Sequence, residues 1–583
     1  MKNIINISRY FILIIFITLY NNTTVSAQIG IFNTSEEIQN MYSKYMYKPG
    51  SNFHPSIQPY DYEEITSLIN FDTLFATKKN VKNNFINKFL HENLIVIQHR
   101  DKYNDNFNVG IKYKQQYKPK ITINPVINII AGVESDNETR AVWEVGAGIM
   151  TTGNIRKNLS FNFNISLNQA VFQQYLYHNI YFSKAIPGLG YAYATGKDSC
   201  FRFLNSNFLL AWQLSRNFKF ETGYGKHFFG DGYRSMMLSW NAPPYPYFKI
   251  TSNIWKFKYV NLLSLYNDSR NITSASWNNY KYKASATHHI SINIAKRINL
   301  GLFETVIWDI NSKRGDTRRI IDPYYLNPVI FYRPVEFSIG SPDNVIMGFN
   351  GRITIGQKNA LYGQFVLDEF VLNNFKTDLI AFVKRIVGKT ENLGNYGAWT
   401  NKQAYQLGLK SFDIFGIKSL NMLLEVNAAR PFTYSHRRPI KNYSHYGQSL
   451  AHPLGANFVE GVMAFKYTYK RLSLSVRGIA ANTGLDGENQ HNGQDIFKPT
   501  YDTYEEEYNN IPVTQLFNVI GQGISTNIIN ATIKSGYLIN PVNNLRLELG
   551  VNLRNINCEG TSNNSFYIFA GIKTGIEQYY RDF

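Results

Sequence analysis

This sequence contains few cysteines and few long apolar runs. Its 583 residues contain two cysteines, Cys200 and Cys558, which are too few and too far apart in sequence for a disulfide scaffold. We expect them to be unrelated, with a single bridge as the alternative. Beyond residue 27 there is no run of about 18 apolar residues, which excludes a transmembrane helix from that part of the chain.

Acidic residues are also scarce, since 41 Asp and Glu accompany 60 Lys and Arg, for a net charge of +19. Such a balance suggests nucleic acid as a partner, but the N-terminus argues against it. Lys2 and Arg9 precede an apolar run over 11–20, and Val25-Ser26-Ala27 then provides the small residues that a signal peptidase recognises. This pattern predicts a cleaved export signal over 1–27. The positive charge then suits lipopolysaccharide phosphates or an acidic polysaccharide, and no nucleic acid.

Hydrophobicity beyond about residue 118 alternates with a period of two. Residues 158–167 read NLSFNFNISL and residues 544–554 read NLRLELGVNLR, so each places apolar side chains on one face and polar ones on the other. This alternation predicts strands with one apolar face and one wet face. A soluble β-sandwich alternates in the same way. Tyr, Phe and Trp make up 15% of the chain, which suits the aromatic girdles of a membrane barrel.

Three features favour an outer-membrane barrel over a sandwich. The candidate strands are roughly 10–15 residues long, as tilted spans require. Short polar turns such as 356–361 and 540–545 alternate with long irregular stretches. The last strand, which we expect to end at Phe583, resembles the signal that barrel assembly machinery recognises. We predict an all-β fold, a transmembrane antiparallel β-barrel of 18 strands over 118–583, in the cell outer membrane. The long stretches are 311–343, 376–400, 428–456 and 483–520.

Residues 28–117 differ from the predicted barrel. TSEEIQNMYSKYMYK, residues 34–48, has Thr34 or Ser35 as a helix cap and acidic residues in its first turn. We therefore predict a small, partly helical N-terminal region. It would lie at the periplasmic mouth of the barrel or plug part of its lumen.

A dense segment runs from Gly223 to Ile250, GYGKHFFGDGYRSMMLSWNAPPYPYFKI. Its glycines match neither a dinucleotide fingerprint nor a phosphate loop, because Asp231 stands where the loop would need lysine. The simpler interpretation is a strand, a turn at GDGYRS, an extended APPYPYFKI and a following strand over 253–266. The alternative is a loop that also contacts a ligand, through Arg234 and Tyr245.

The second dense segment, Ala429–Phe458, combines basic and aromatic side chains. Its histidines match no zinc spacing. Tyrosine rings stack on sugar rings, and arginine forms bidentate hydrogen bonds with carboxylate or phosphate. A polysaccharide site and a solvated loop are the two interpretations. The ligand-binding candidates here are Arg430, Tyr434, His436, Arg437, Arg438, Tyr443 and His445.

A third segment, 327–353, is followed by YGQFVLDEF at 362–370. Its acidic residues could form the carboxylate pair of a glycoside hydrolase, but sequence alone cannot bring any two of them together. No nucleophile elbow or catalytic triad pattern is present. We predict no catalytic residue, no enzyme activity, no cofactor and no metal site. The carboxylates in question are Glu336, Asp343, Asp368 and Glu369.

Taken together, three stretches resemble the RemB-like gliding-motility proteins, a group similar to the Wzi-type capsule assembly family. They are GDGYRSMMLSWNAPPYPYFKI, NPVIFYRPVEFSIGSPDNVIMGFN with YGQFVLDEF, and RPFTYSHRRPIKNYSHYGQSLAHPLGANF. The resemblance implies an outer-membrane barrel with a small helical region on its periplasmic side. It also implies a role in attaching surface or capsular polysaccharide, or in gliding. The alternative is a channel or an accessory component of an outer-membrane secretion or motility machine. The partners expected are outer-membrane lipid, lipopolysaccharide, polysaccharide and the barrel assembly machinery.

Overall fold

A computed structural model describes most of the predicted barrel and part of the N-terminal region. The predicted export signal and the stretch 269–280 lie outside the described residues. Those described are 40, 43–61, 64–65, 68, 120–136, 138–156, 158–195, 200–268, 281–314, 317–327, 343–369, 372–388, 396–488, 490–500, 516–540, 543–575 and 579–583.

Eighteen antiparallel strands form a closed barrel, which confirms the predicted fold and strand number. The barrel closes where Asn128 to Ser135 of the first strand pair with Lys573 to Phe566 of the last. Closure leaves no strand edge unpaired, as a sheet in lipid requires. The strands are β1 Lys120–Ser135, β2 Thr139–Arg156, β3 Leu159–Val171, β4 Cys200–Gln213, β5 Phe218–Gly225, β6 Tyr245–Ile254, β7 Phe257–Asp268, β8 Lys281–Ala295, β9 Ile298–Asp309, β10 Asn344–Ile355, β11 Asn359–Leu367, β12 Gln403–Ser411, β13 Leu420–Ala429, β14 Phe458–Tyr469, β15 Leu472–Leu485, β16 Ile524–Asn540, β17 Leu545–Cys558 and β18 Thr561–Thr574.

The side chains of the wall alternate with apolar groups outside and polar groups inside. In β17, Leu547, Leu549 and Leu553 are exposed outward, while Arg546 and Glu548 are buried toward the lumen. The same arrangement in β3 exposes Leu167. The predicted alternation is therefore confirmed, with the apolar face outside as in membrane barrels.

The two ends of the barrel differ, as the turn and loop pattern predicts. One end carries short connections, such as 157–158, 356–358 and 470–471, and we call it the turn end. The other carries the long loops 226–244, 310–343, 368–402, 430–457 and 486–523, and we call it the loop end. In outer-membrane barrels the short turns face the periplasm.

The remaining regular elements lie in the connections between strands and in the N-terminal region. Two α-helices are described, α1 Gln174–Ser183 and α2 Leu372–Ile386. Among the described residues, no helix is both long and apolar enough to cross a membrane. Short strands pair Ile57–Gln58 with Phe228–Phe229, Ala185–Ile186 with Gly190–Tyr191, Lys313–Arg314 with Thr317–Arg318 and Ser444–His445 with Gln448–Ser449, while Tyr193–Thr195 extends beside β4; single 3-10 turns span Pro323–Leu326, Ile414–Gly416 and Pro439–Lys441.

The described part of the N-terminal region lies inside the turn end. Residues 43–46 are helical, and Gly50 donates its N–H to Lys296 O at 2.8 Å in a short turn. Asp61 and Glu64 form ion pairs with wall lysines. These contacts place residues 43–61 and 64–65 across the turn end of the lumen. Cys200 and Cys558 do not form a disulfide with each other.

Two details of the predicted strands are wrong. The expected strand over 253–266 is interrupted at Trp255, whose φ of 56° starts the tight turn between β6 and β7. The last strand ends at Thr574 rather than Phe583. The terminal residues 579–583 instead lie inside the barrel, where Arg554 Nη2 donates to Phe583 O at 2.7 Å.

Candidate functional site

Loop 226–244 turns into the lumen instead of projecting from the barrel. Phe229 stacks on the wall residue His289 with ring centroids 4.8 Å apart, and residues 236–238 are fully buried. Phe228–Phe229 also pairs with Ile57–Gln58 of the N-terminal region. The loop therefore descends far enough to meet the segment that enters from the turn end.

The GDGYRS stretch of this loop needs its first glycine. Gly230 has φ of 149°, and a Cβ there would lie 2.3 Å from Gln364 Nε2, so a side chain would clash as well as strain the backbone. Gln364 of β11 also accepts the Met236 N–H at 2.7 Å. The predicted simple turn is thus a folded, wall-anchored loop.

Arg234, a predicted ligand residue, is fully buried at the centre of the lumen. Its Nη2 lies 2.9 Å from Glu460 Oε1 and its Nη1 lies 3.0 Å from Asp582 Oδ1. Its guanidinium also lies 5.0 Å and 4.6 Å from the ring centroids of Tyr233 and Tyr580. Burial opposes its charge, but Asp582 and Glu460 hold the pKa of Arg234 well above its usual value. Arg234 therefore ties loop 226–244 to the wall and to the C-terminal tail.

Four other predicted residues come together beneath the loop surface. His445 lies 6.0 Å from Tyr245, and Tyr434 lies 5.9 Å from Tyr443, between ring centroids. All four are buried, and Tyr434 donates its hydroxyl to Met236 O at 2.6 Å. Burial raises the pKa of Tyr434 and Tyr443 well above the ordinary value. These rings join loop 430–457 to loop 226–244 inside the barrel.

The remaining four predicted residues lie at the rim. Arg430 is half-buried and forms an ion pair with Asp378 of α2 at 3.0 Å. His436 is half-buried, and its Nδ1 accepts the Arg438 N–H at 3.0 Å. Arg437 and Arg438 are exposed. The structure therefore divides the predicted set into five buried residues and a rim group of four.

A cavity of about 230 Å³ lies between α1, loop 226–244, loop 430–457, residues 494–497 and the C-terminal residue. Its lining includes amide and aromatic side chains beside Asp495 and several small or aliphatic residues. Amides exchange hydrogen bonds with hydroxyl groups, and aromatic faces stack on sugar rings. These side chains are Asn241, Gln448, Gln494, Phe497 and Phe583.

Hydrogen bonds hold the lining amides in place. Asn241 Nδ2 donates to Ser449 O at 2.9 Å, and Gln494 Nε2 donates to Leu454 O at 3.0 Å. Sequence reasoning missed these residues, although Asn241 and Gln448 lie inside the two dense segments that it singled out. The signal available was the convergence of those segments, which only the three-dimensional fold supplies.

The carboxylates weighed as a hydrolytic pair are separately engaged. Asp343 lies 2.6 Å from Arg319 and 2.9 Å from Lys441. Asp368 accepts the Tyr434 N–H at 2.7 Å, and Glu369 pairs with Lys402. Glu336 lies outside the described residues. These three carboxylates therefore serve as anchors for the loops.

The barrel is similar to several solved outer-membrane proteins. Wzi of Escherichia coli, involved in group 1 capsule assembly and described as a carbohydrate-binding β-barrel, matches with a TM-score of 0.51 and 12% identity, over 93% of this chain and 99% of that one. This likeness shows the fold. The chain is an outer-membrane β-barrel.

Two porin-like barrels match less well. OprD of Pseudomonas aeruginosa has a TM-score of 0.38 and 9% identity, over 77% of this chain and 94% of that one. OccAB2 of Acinetobacter baumannii has a TM-score of 0.40 and 9% identity, over 77% and 97%. None of these three structures is described as an enzyme. No protein-family model matches this chain, and no curated protein sequence does.

Proposed function

We propose that this barrel binds surface or capsular polysaccharide at its loop end, in capsule assembly or gliding motility. The observation that carries the proposal is the cavity at the loop end, whose lining includes amide and aromatic side chains. The cavity has the chemistry for one or two sugar units. The exposed Arg437 and Arg438 of the rim supply positive charge for acidic ones, whereas the charge of Arg430 is already paired with Asp378. Wzi, whose fold is similar, is described as carbohydrate-binding. The resemblance of the sequence to RemB-like proteins supports gliding motility as the process in which this binding would take part.

The buried predicted residues have a supporting role in this proposal. Arg234, Tyr245, Tyr434, Tyr443 and His445 hold the two loops that line the cavity. Polysaccharide would therefore contact the rim and cavity, and these five would fix the geometry beneath. Export by residues 1–27 and insertion by the barrel assembly machinery would bring the chain to this membrane, where lipopolysaccharide would surround it.

The filled lumen argues against the channel alternative. Loop 226–244, the tail 579–583 and the N-terminal residues 43–61 and 64–65 all contact one another or the wall inside the barrel. Fully buried side chains such as Arg234 and Tyr580 occupy its centre. An accessory role in a secretion or motility machine does not need an open lumen, and it is compatible with polysaccharide binding.

The test is binding of purified barrel to acidic and neutral capsular polysaccharides. Exposed charge pairs are worth about 0.2–1 kcal/mol each, so Arg437→Ala with Arg438→Ala should weaken acidic polysaccharide binding by about two- to thirty-fold. Gln494→Ala with Phe497→Ala should weaken binding of both kinds. The matched control is Lys470→Ala with Arg471→Ala, which removes two exposed charges from the turn end.

Binding that survives both loop-end double variants unchanged would remove this site. Equal weakening by the control pair would show that only net charge matters. Proteolysis of intact cells would check the orientation, because loop-end sites should be cut and turn-end sites protected.

A further inference from the structure

Part of the barrel's outer wall is covered by its own chain. On β9, Leu302 is exposed outward, but Val306 and Trp308 on the same face are buried. The cover is the stretch 319–327: Tyr325 packs 5.2 Å from Trp308 between ring centroids, and Trp308 Nε1 donates to Arg319 O at 2.8 Å. This stretch therefore runs outside the wall, near the loop end.

The covering stretch presents new apolar surface in place of the wall it hides. Its outward side chains are between 47% and 65% exposed. A soluble surface rarely leaves so many large apolar groups together in water. These side chains are Ile320, Ile321, Tyr324 and Leu326.

Helix α2 has its polarity reversed relative to a soluble surface helix. Its inner face carries Asn374, which donates to Thr400, and Asp378, which accepts the Gly397 N–H at 2.7 Å. Ala381, about one turn beyond Asp378 on the same face, is also buried. The opposite face and the residue after the helix carry apolar side chains that are 51% to 61% exposed, namely Leu379, Ile380, Val383 and Val387.

Hydrogen bonds connect α2 to the lipid-facing side of the wall. Asp378 accepts from Asn401, Asn401 accepts from Gln403, and Gln403 accepts from the hydroxyl of Tyr405. Tyr405 points outward from β12, as does Leu407, which is 60% exposed in the lipid-facing band. The polar face of α2 is thus tied through Asn401 and Gln403 to the outward-facing Tyr405, which leaves the apolar face of the helix pointing away from the wall.

We propose that these eight apolar residues form a collar that inserts into the outer leaflet beside strands β7–β13. The occupant is lipid, because the collar continues the lipid-facing band and lies outside the wall. An amphipathic helix in this position buries its apolar face at the boundary between headgroups and acyl chains. The exposed Lys376 on α2 can extend toward headgroup phosphate. The collar would make the membrane-embedded surface taller on one side of the barrel than on the other.

The test is a fluorophore attached at single cysteines in a Cys200→Ala, Cys558→Ala background. Variants Val383→Cys and Ile321→Cys report on the collar, Leu407→Cys on the wall, and Arg437→Cys on the rim. The labelled barrels are placed in phosphatidylcholine and phosphatidylglycerol vesicles with nitroxides on the acyl chains, or are exposed to aqueous iodide. The emission of the collar labels should be shifted to the blue. The lipid nitroxides should quench these labels as they quench the label at position 407, and a nitroxide near the headgroup should quench them most strongly.

The proposal would be overturned if iodide quenched the collar labels as much as it quenches the label at position 437, since the collar would then lie in water. Labels reached by neither quencher would also overturn it, because a protein partner or a second copy would then cover the face. Two collar positions on different loops keep the test informative if one variant folds poorly. The polysaccharide proposal is unaffected by either result.

Discussion

Arg234 shows how a single buried charge can hold three parts of the chain together. Its guanidinium joins loop 226–244 to Glu460 in the wall and to Asp582 in the tail. Removing one partner of a buried ion pair leaves the other charges uncompensated. The contacts of Arg234 are therefore structural even though its chemistry suits an anionic ligand.

Arg234→Ala should destabilise the folded barrel by about 3–5 kcal/mol, the usual cost of breaking a buried ion pair. Urea unfolding in lipid vesicles, followed by tryptophan fluorescence, measures the change. Arg438→Ala removes an exposed arginine and should change stability by no more than about 0.5 kcal/mol. Equal effects of the two substitutions would show that the lumen network carries no stability.

His445 makes loop 430–457 sensitive to pH. Its Nδ1 accepts the Asn267 N–H at 2.8 Å, and its Nε2 lies 3.2 Å from Pro244 O, so the neutral ring fits both partners. Burial lowers the pKa of His445 to about 3. A depressed histidine pKa stabilises the fold above the unfolded pKa of about 6.5. This stabilisation is lost as pH falls from 6.5 toward 3.

Between pH 6.5 and pH 5 the loss from His445 should reach about 2 kcal/mol. Hydrogen exchange in residues 430–457, corrected for intrinsic rates, should show protection falling over this range. His445→Asn should lower protection at pH 7.5 and weaken its pH dependence, whereas His178→Asn on α1 should alter neither. Part of the pH dependence should remain, because burial also lowers the pKa of His436 and His452 in the same loop. A pH dependence that His445→Asn leaves intact would assign the effect to other groups.

At the scale of the strands, the fold rests on a period of two with apolar groups outside. Leu549 and Asn555 both point outward from β17, at different heights. Leu549 lies in the lipid-facing band, and Asn555 lies nearer the loop end. The cost of a charge should follow this height, because lipid solvates charge poorly at the centre of the bilayer and better at its edge.

Leu549→Arg should destabilise the barrel by about 2–4 kcal/mol, and Asn555→Arg by about 0–1 kcal/mol. The same urea unfolding in vesicles compares them. The pair is matched for strand, face and introduced residue, so only depth differs. Equal costs at both sites would mean that β17 does not cross the bilayer at the height assigned to it.

The strands were predictable because each one repeats a local pattern that lipid and lumen impose. Strand breaks without a glycine or proline signal were not, as the turn at Trp255 shows. The position of loop 226–244 inside the lumen was not predictable either. Its apolar run 236–238 indicates that these residues are buried, but not in which part of the protein. The route of the tail depends on Arg234, about 350 residues away. The ligand site itself stays a prediction: the dense segments meet in the structure, but their charged and aromatic residues divide between the lumen and the rim.

At the scale of the whole molecule, parts of the chain fill the lumen from both ends of the barrel, and the C-terminal tail fills it further. The N-terminal residues enter at the turn end, loops 226–244 and 430–457 enter from the loop end, and the tail 579–583 folds between them. An 18-stranded barrel would otherwise enclose a wide aqueous path. We therefore expect the barrel to act as a scaffold that displays loops, and not as a channel.

The barrel should therefore show no steady conductance in planar bilayers. Replacing residues 230–242 by a short glycine-serine linker removes the part of the plug that meets both the wall and the tail, and should produce stepwise currents. The native barrel decides the issue by itself, so a poorly folding variant does not obscure it. Regular open-channel steps from the native protein would mean that the plug leaves the lumen, and the channel alternative would then replace the scaffold. Silence in the native barrel, with currents appearing only in the variant, would locate the block in loop 226–244.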